Sequence, residues 1–292
     1  MISEKINTNL KKSSWIRAMF EEGERLRKLY GADKVYDFSL GNPDIEPPAA
    51  VKETLKKIVL SDTPKMHGYM SNAGYMNVRA AVAANLEKSK GVQVTAGQVV
   101  MQCGAGGALN VVLKTLLNPG EEVIVLAPYF AEYLFYIDNH GGKPVIVDTN
   151  PSTFQPDPQK LYDAITPKTK AIIINSPNNP TGVVYGESVL EKLAGTISKR
   201  ETEFGTEICV IADEPYDKIV YDYVKVPSVF KIFRHSIIVN SYSKSLSLPG
   251  ERIGYIAVNP LMGDTTALMD GLIFSTRTLG FVNAPALFQR IL

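Results

Sequence analysis

Continuous apolar runs, each followed by polar residues, dominate the chain from residue 99 onward. The runs IIIN (172–175), CVIAD (209–213) and SIIVNS (236–241) do not alternate between apolar and polar positions. Strands of this kind are buried on both faces, as in a mainly parallel sheet that is covered by helices. The pattern therefore predicts an α/β fold with three layers, a sheet between two layers of helices.

Strand-like and helix-like segments alternate through this part of the chain. We predict strands at Val99–Cys103, Glu122–Leu126, Pro144–Asp148, Ala171–Asn175, Cys209–Asp213, Ser236–Ser241 and Ile253–Val258. We predict helices at Gly106–Leu117, Phe130–Asn139, Pro158–Ile165 and Ser188–Arg200. Nearer the N-terminus the pattern predicts helices at Trp15–Tyr30, Pro47–Val59 and Val78–Lys88, a strand at Val35–Leu40 and a loop at His67–Tyr75.

The last residues follow the beginning of a helical pattern. Ala284–Leu292 has neither a glycine or asparagine cap nor a polar tail. We therefore expect that the helix is cut and that the chain is a truncation of something longer.

Composition narrows the class of protein. The 292 residues include 31 Lys+Arg and 30 Asp+Glu, which gives a net charge of +1 and argues against a nucleic-acid-binding protein. No apolar run approaches the roughly 18 residues of a membrane span, and the start, MISEKINTNLKK, does not resemble a signal peptide. Cys103 and Cys209 are expected to be reduced thiols. We expect a cytoplasmic protein with neither nucleic-acid nor membrane partners, and without a metal site.

Polar residues follow four of the predicted strands. They are Gly104–Ala108 (GAGGA), Asn175–Gly182 (NSPNNPTG), Asp213–Tyr216 (DEPY) and Ser241–Lys244 (SYSK). Ligands of parallel α/β sheets bind beyond the carboxyl ends of the strands. The four sets are therefore expected to lie together and to form a site.

The glycine-rich turn after Cys103 is typical of a phosphate site, because backbone N–H groups at a helix N-terminus attract anions. The alternative is a tight strand-to-helix turn without a ligand. The run GAGGAL lacks the third glycine of the dinucleotide fingerprint, no acidic residue ends the next strand, and no P-loop motif is present.

Three charged residues at this edge suggest further chemistry. Asp213 ends a buried strand, where a carboxylate requires a cation or donors; the alternative is a helix cap. Lys244, among small hydroxyl residues, could form a Schiff base with an aldehyde; the alternative is a solvated surface charge. Arg252 could bind a phosphate or form a surface salt bridge. Pyridoxal 5′-phosphate would satisfy all three, since it has an aldehyde, a phosphate and a basic ring nitrogen.

The motifs SPNNPTG, ADEPY and SYSKSLSLPGERIGY carry a resemblance to a known family. In this combination and order the chain resembles the class I/II (fold type I) pyridoxal-phosphate-dependent aminotransferases, the aspartate aminotransferase superfamily. The resemblance implies that Lys244 forms the Schiff base and then moves a proton between the substrate Cα and the cofactor. Asp213 would pair with the pyridinium nitrogen, and Tyr216 and Asn179 would bond the phenolic oxygen.

The resemblance also implies the rest of the cofactor site. The phosphate would be held by Gly104, Ala105, Gly106, Ser241, Ser243 and Arg252. Phe130 would stack on the pyridine ring. The alternatives are that Phe130 is a plain core aromatic, or that Tyr129 stacks in its place. Tyr69 would reach the phosphate of a neighbouring subunit, which implies a homodimer with shared active sites, and Gly41 would contact the substrate carboxylate.

The implied organisation is an N-terminal arm with part of a small domain (1–45), followed by the cofactor-binding large domain (46–292). The family's C-terminal small domain, with its carboxylate-binding arginine, is expected to be missing. Arg277 lies near the position of a side-chain-recognising arginine in some members.

The resemblance implies transfer of an amino group between an L-amino acid and a 2-oxo acid by a ping-pong mechanism. Three alternatives stay open: a C–S β-lyase with the same cofactor, a cofactor-binding chain with little or no turnover, and, more distantly, a dehydrogenase.

Overall fold

The computed structural model of the chain describes residues 1–12, 14–37, 41–61 and 63–292. The chain divides into two compact units, Met1–Asp44 and Ile45–Leu292. The first unit contains helices α1 (Glu4–Lys12) and α2 (Ser14–Tyr30) and a 3₁₀ turn at Ala32–Lys34. The predicted strand at Val35–Leu40 does not form over residues 35–37, which pair with no other strand, and residues 38–40 lie outside the described residues.

The second unit alternates strands and helices as the sequence pattern predicts. Its strands are β1 (Val99–Gln102), β2 (Glu122–Ala127), β3 (Lys143–Asp148), β4 (Thr169–Asn175), β5 (Cys209–Asp213), β6 (Ser236–Ser241) and β7 (Gly254–Val258). Its helices are α3 (Ala49–Val59), α4 (Met76–Lys90), α5 (Gly104–Leu116), α6 (Glu132–Asn139), α7 (Pro158–Ala164), α8 (Glu187–Phe204), α9 (Val229–Ile232), α10 (Tyr242–Ser245), α11 (Thr266–Thr278) and α12 (Ala286–Gln289), with 3₁₀ turns at Ala96–Gln98, Pro249–Glu251 and Pro260–Met262.

The strands form one mixed sheet in the order β1-β7-β6-β5-β4-β2-β3. Strand β7 runs antiparallel to both of its neighbours, and the other pairings are parallel. The sheet is therefore mainly parallel, as predicted, and except at its edge strand β3 it buries both of its faces.

Successive residues of each strand point to opposite faces, which creates two hydrophobic cores. In β5, Val210 and Ala212 pack into one core together with side chains of α4, α7, α8 and α9. Cys209 and Ile211 pack into the other core with side chains of α5, α6 and α11. The predicted arrangement of three layers is confirmed.

Two helices differ from the sequence prediction in ways that matter for the site. Helix α5 begins at Gly104 rather than Gly106, so the glycines lie in its first turn. The C-terminal segment forms only the four-residue helix α12 within the predicted Ala284–Leu292. Gln289 explains part of this local order, because its side chain accepts a hydrogen bond from the Tyr75 N–H and donates one to the Ala284 carbonyl.

The carboxyl ends of the central strands meet at one edge of the sheet. Asn175 is in register with Asp213, at the ends of β4 and β5. Gly254, the first residue of antiparallel β7, lies between Gln102 of β1 and Ser241 of β6. The sheet thus brings together the polar segments that the sequence places after separate strands.

We predict that Gly254→Ala destabilises the fold. A Cβ atom at this position would lie 2.5 Å from the Asn240 carbonyl oxygen and 3.0 Å from the Gly104 Cα, both of them backbone atoms. We expect a loss of about 1–3 kcal/mol of unfolding free energy, because backbone of two elements must shift. Denaturant unfolding measures this loss.

The matched control is Gly195→Ala, in the exposed interior of α8, where an added Cβ has no neighbour within 4 Å. There we expect a gain of about 0.5–1 kcal/mol, since alanine favours the helix. Equal effects of the two substitutions would contradict the close packing at Gly254.

Candidate active site

A buried carboxylate stands at the centre of this edge. The Asp213 side chain is buried, and its Oδ2 accepts a hydrogen bond from the Tyr133 hydroxyl at 2.5 Å. Its Oδ1 is also buried but has no hydrogen-bond partner within the described part of the chain. The Asn175 side-chain amide donates to the Asp213 backbone carbonyl at 2.9 Å, which fixes the end of β5.

Burial raises the pKa of Asp213 to about 7, the Tyr133 hydrogen bond opposes this rise, and the negative charge of Glu214 adds to it. Asp213 does not act as a helix cap, the alternative reading of the sequence, because Oδ1 accepts no backbone N–H in the described structure. A cationic donor at Oδ1 would satisfy this oxygen and keep the carboxylate ionised.

Tyr216 and Asn179, expected to act on the same cofactor oxygen, lie together. Burial and the Asp213 charge raise the pKa of Tyr216, and the nearby Asn179 side chain opposes this rise. The Asn179 N–H donates to the Asn175 Oδ1 at 2.7 Å. The segments after β4 and β5 are therefore joined through Asn175.

Lys244 lies in the short helix α10, directly after β6. The side chain is partly buried, and this burial lowers the pKa of its ammonium group. A fully solvated surface lysine, the alternative, would not have a lowered pKa. Ser241 and Ser243, on either side of Tyr242, are both buried.

Arg252 lies over the glycine-rich turn. Its guanidinium donates to the Cys103 carbonyl at 3.4 Å and to the Pro249 carbonyl at 3.1 Å. A Cβ atom on Gly104 would lie 2.6 Å from Arg252 Nη2, and one on Gly106 would lie 3.1 Å from the Tyr136 hydroxyl. No salt bridge to Arg252 occurs among the residues that the structure describes, contrary to the alternative interpretation.

This turn has the properties of an anion site. Gly104, Ala105 and Gly106 are the first residues of a 13-residue helix, whose first N–H groups have no partner inside the helix. The positive end of the helix dipole and the guanidinium act in the same direction. The two missing side chains allow the Arg252 guanidinium and the Tyr136 hydroxyl to approach the turn closely.

Phe130 packs edge-on against Tyr133, with ring centroids 5.6 Å apart and planes at 81°. Tyr133 bonds Asp213, so Phe130 belongs to the same cluster as the buried carboxylate. It also packs against the core, as does the neighbouring Tyr129. Stacking of either ring on a cofactor stays a prediction.

Tyr69 and Arg277, two of the other candidates, are exposed. Tyr69, in the loop before α4, exposes 92% of its side chain, and Gly41 belongs to the first compact unit, Met1–Asp44. Arg277 is exposed on α11, with its guanidinium 5.3 Å from the Phe274 ring centroid. Cys209 is buried and Cys103 partly buried, and both are free thiols.

Sequence reasoning missed two tyrosines of α6. Tyr133 bonds Asp213, and Tyr136 lies beside Gly106, where burial, Glu132 and Asp213 raise the pKa of its hydroxyl while Arg252 lowers it. Their spacing of three residues places both on one face of a helix. That spacing was visible in the sequence, but it did not show which strand ends the face would meet.

The residues present fit pyridoxal 5′-phosphate. The buried, unpartnered Oδ1 of Asp213 suits a protonated ring nitrogen, and the turn at Gly104 with Arg252 suits the phosphate group. The partly buried amine of Lys244 suits an aldehyde.

Comparison with known proteins agrees with this geometry. The family model for aminotransferase class I and II matches residues 33–290. The chain belongs to this family. It is 38% identical over 216 residues to a probable aspartate/prephenate aminotransferase of Thermus aquaticus, across 74% of this chain and 54% of that protein. It is 32% identical over 225 residues to a probable N-acetyl-LL-diaminopimelate aminotransferase of Bacillus subtilis, across 77% of this chain and 55% of the relative.

Among solved structures, an amino transferase from Eubacterium rectale is 40% identical, with a TM-score of 0.94 over 100% of this chain and 74% of that one. The chain spans about half the length of the curated relatives that it matches. None of the described helices is long and apolar enough to cross a membrane. Membership of the family confirms the resemblance read from the sequence motifs.

We predict that Asp213→Asn stabilises the cofactor-free chain at pH 8 and has little effect at pH 4. The pKa of Asp213 is about 7 in the folded chain against an ordinary 3.8, so the folded state retains a proton that the unfolded state releases. Wild-type stability therefore falls as the pH rises between these values, by an amount on the order of a few kcal/mol.

Chemical unfolding of both proteins at both pH values measures the difference. Asp270→Asn, at an exposed carboxylate of α11, serves as the control and is expected to change stability little at either pH. An Asp213→Asn protein that is no more stable than the wild type at pH 8 would contradict the buried carboxylate.

Proposed function

We propose that this chain is the cofactor-binding part of a pyridoxal-phosphate-dependent aminotransferase. The observation that carries the proposal is the unpartnered Oδ1 of buried Asp213, at the same sheet edge as Lys244 and the glycine turn. When bound, the cofactor would supply an electron sink and would also carry the amino group between the two half-reactions of a ping-pong mechanism. The proposed substrates are an L-amino acid and a 2-oxo acid.

Each residue then has a defined task. Asp213 holds a proton on the ring nitrogen through Oδ1, while Tyr133 keeps Oδ2 in place. Tyr216 and Asn179, whose side chains lie near each other, would donate to the ring oxygen. Lys244 would hold the cofactor through its aldehyde group, with loss of water. Once the substrate has displaced it, the free amine would carry a proton to and from the substrate Cα; its lowered pKa favours the neutral amine that both tasks require.

The phosphate would be held by the N–H groups of the turn at Gly104, Ala105 and Gly106 and by Arg252. Ser241 and Ser243, buried near the end of β6, would add hydroxyl donors. Phe130 would cover one face of the ring. These contacts would fix the position of the cofactor relative to the substrate Cα.

The proposal includes a homodimer. The phenol of Tyr69 is almost fully exposed on the described surface, which suits a contact with the phosphate of a second copy. Gly41 would contact the substrate carboxylate, and residues 1–45 and 46–292 would act as arm and large domain. The free thiols Cys103 and Cys209 accord with a reducing compartment such as the cytoplasm.

Borohydride reduction tests the attachment of the cofactor. We expect the purified chain with added pyridoxal phosphate to carry a reduced phosphopyridoxyl group on Lys244, found by peptide mass mapping. Lys244→Ala should lose this group, whereas Lys218→Ala, at an exposed lysine nearby, should keep it. A wild-type chain without the adduct would overturn the proposal.

Amino-group exchange tests the reaction class. A panel of L-amino acids, with aspartate included because the Thermus aquaticus relative is named for it, is mixed with 2-oxoglutarate and the cofactor-loaded protein. Formation of glutamate supports transamination. Release of pyruvate and ammonia from cystathionine without any exchange would instead favour a C–S β-lyase, and cofactor binding without turnover would contradict both activities for this chain.

We predict that Arg252→Gln weakens binding of pyridoxal phosphate by about 10- to 100-fold, as expected for loss of a charge-assisted hydrogen bond to an anion. Binding of pyridoxal, which has no phosphate, should change by less than about twofold on the same reasoning. Absorbance titration gives both dissociation constants. Arg234→Gln, at an exposed arginine before β6, is the control. Equal losses for both ligands would argue against a phosphate contact.

A further inference from the structure

A buried ion pair lies on the other side of the sheet from the Asp213 carboxylate. The Lys90 ammonium is 2.6 Å from Glu214 Oε2 and 4.0 Å from Asp217 Oδ2. The Lys90 and Glu214 side chains are only 4% and 2% exposed. A charge removed from water at this depth is costly unless a partner compensates it, so the two residues depend on each other.

Strand geometry explains why this pair lies behind the site. Asp213 and Glu214 are consecutive at the end of β5, and consecutive strand residues face opposite sides of a sheet. Asp213 turns towards Tyr133 of α6, and Glu214 turns towards Lys90, the last residue of α4. A single peptide bond therefore links Glu214 of the buried ion pair to Asp213 of the candidate cofactor site.

The backbone of Glu214 makes two hydrogen bonds that shape the turn after β5. The Glu214 N–H continues the sheet by donating to the Val239 carbonyl at 2.9 Å, and the Asp217 N–H donates back to the Glu214 carbonyl at 3.4 Å. Tyr216 lies inside this turn, with its hydroxyl near the Asn179 side chain. A displacement of the Glu214 side chain would disturb the backbone bonds of the same residue and, with them, the turn that carries Tyr216.

Further carboxylate and hydroxyl groups lie around the Lys90–Glu214 ion pair. Burial raises the pKa of Glu214, Lys90 opposes that rise, and Asp217 adds to it. Tyr242 and Tyr255 pack against each other nearby. Burial raises the pKa of both hydroxyls, the charge of Asp217 adds to both, and the charge of Glu214 adds to that of Tyr255. Of the described ion pairs, those of Glu214 and Asp217 both involve Lys90.

We propose that Lys90 is a positioning residue for the cofactor. Its buried ammonium holds Glu214 in place and thereby fixes the turn that carries Asp213 and Tyr216. Without Lys90, the Glu214 carboxylate must either take up a proton or leave its buried position for water, and a side chain that leaves draws the turn with it. This inference rests on the proposed function, because it concerns the same cofactor site.

The test is a binding titration with pyridoxal phosphate, read by absorbance well below the unfolding temperature. We expect Lys90→Met to raise the dissociation constant by about tenfold or more, as a displaced binding group does. The double variant Lys90→Met/Glu214→Gln should return to within about threefold of the wild type, because a neutral amide needs no cation. Lys88→Met, at an exposed lysine of the same helix, should bind like the wild type.

The outcomes separate the two hypotheses. A wild-type chain that binds no pyridoxal phosphate would overturn the proposed function and this inference with it. A wild type that binds, together with a Lys90→Met variant that binds within about twofold while melting at a lower temperature, would show a purely structural role and overturn only the inference. Absence of rescue by Glu214→Gln would also overturn it.

A second pair of variants covers the case in which Lys90→Met does not fold. Lys90→Gln keeps most of the side-chain length without the charge and should weaken binding by about tenfold, whereas Lys90→Arg keeps the charge and should stay within about threefold. Equal affinities of these two variants would overturn the role of the buried charge.

Discussion

The structure of the site depends on one buried carboxylate that is satisfied on one side only. Tyr133 bonds one oxygen of Asp213, and the other oxygen has no partner among the described residues. A carboxyl group in this environment is costly to ionise until a cation arrives. The apolar layers on both sides of the sheet create that cost, so the same cores that stabilise the fold also prepare the site for a protonated ring.

Parallel strands account for the convergence of the remaining groups. Asn175 and Asp213 end neighbouring strands in register, and Lys244 follows the next one. Each group is therefore placed by a rigid element and not by a loop of its own. The hydrogen bonds of Asn175, one to the backbone at Asp213 and one from the backbone of Asn179, join two of these segments directly.

Much of this could be predicted from the sequence, because buried parallel strands have a distinct apolar pattern and their ends share an edge. Asp213, Lys244 and the glycine turn were identifiable for that reason. The partners of these residues were not: Tyr133 and Tyr136 lie on a helix whose docking against the sheet depends on tertiary packing, and Lys90 reaches Glu214 from 124 positions earlier. The prediction of a strand at Val35–Leu40 was wrong over residues 35–37, because an extended segment becomes a strand only when it pairs with a neighbouring strand.

The position of β7 has a consequence for the order in which the protein acquires its properties. Gly254 separates the start of α5 from β6, and Arg252, just before it, reaches back to Cys103. The candidate anion site, formed by the glycine-rich turn and Arg252, thus joins two segments that are about 150 residues apart in the chain. During synthesis it cannot exist until β7 has emerged and inserted between β1 and β6. Binding of a phosphorylated ligand would therefore indicate that β7 has joined the sheet. The ligand cannot stabilise the earlier stages of folding.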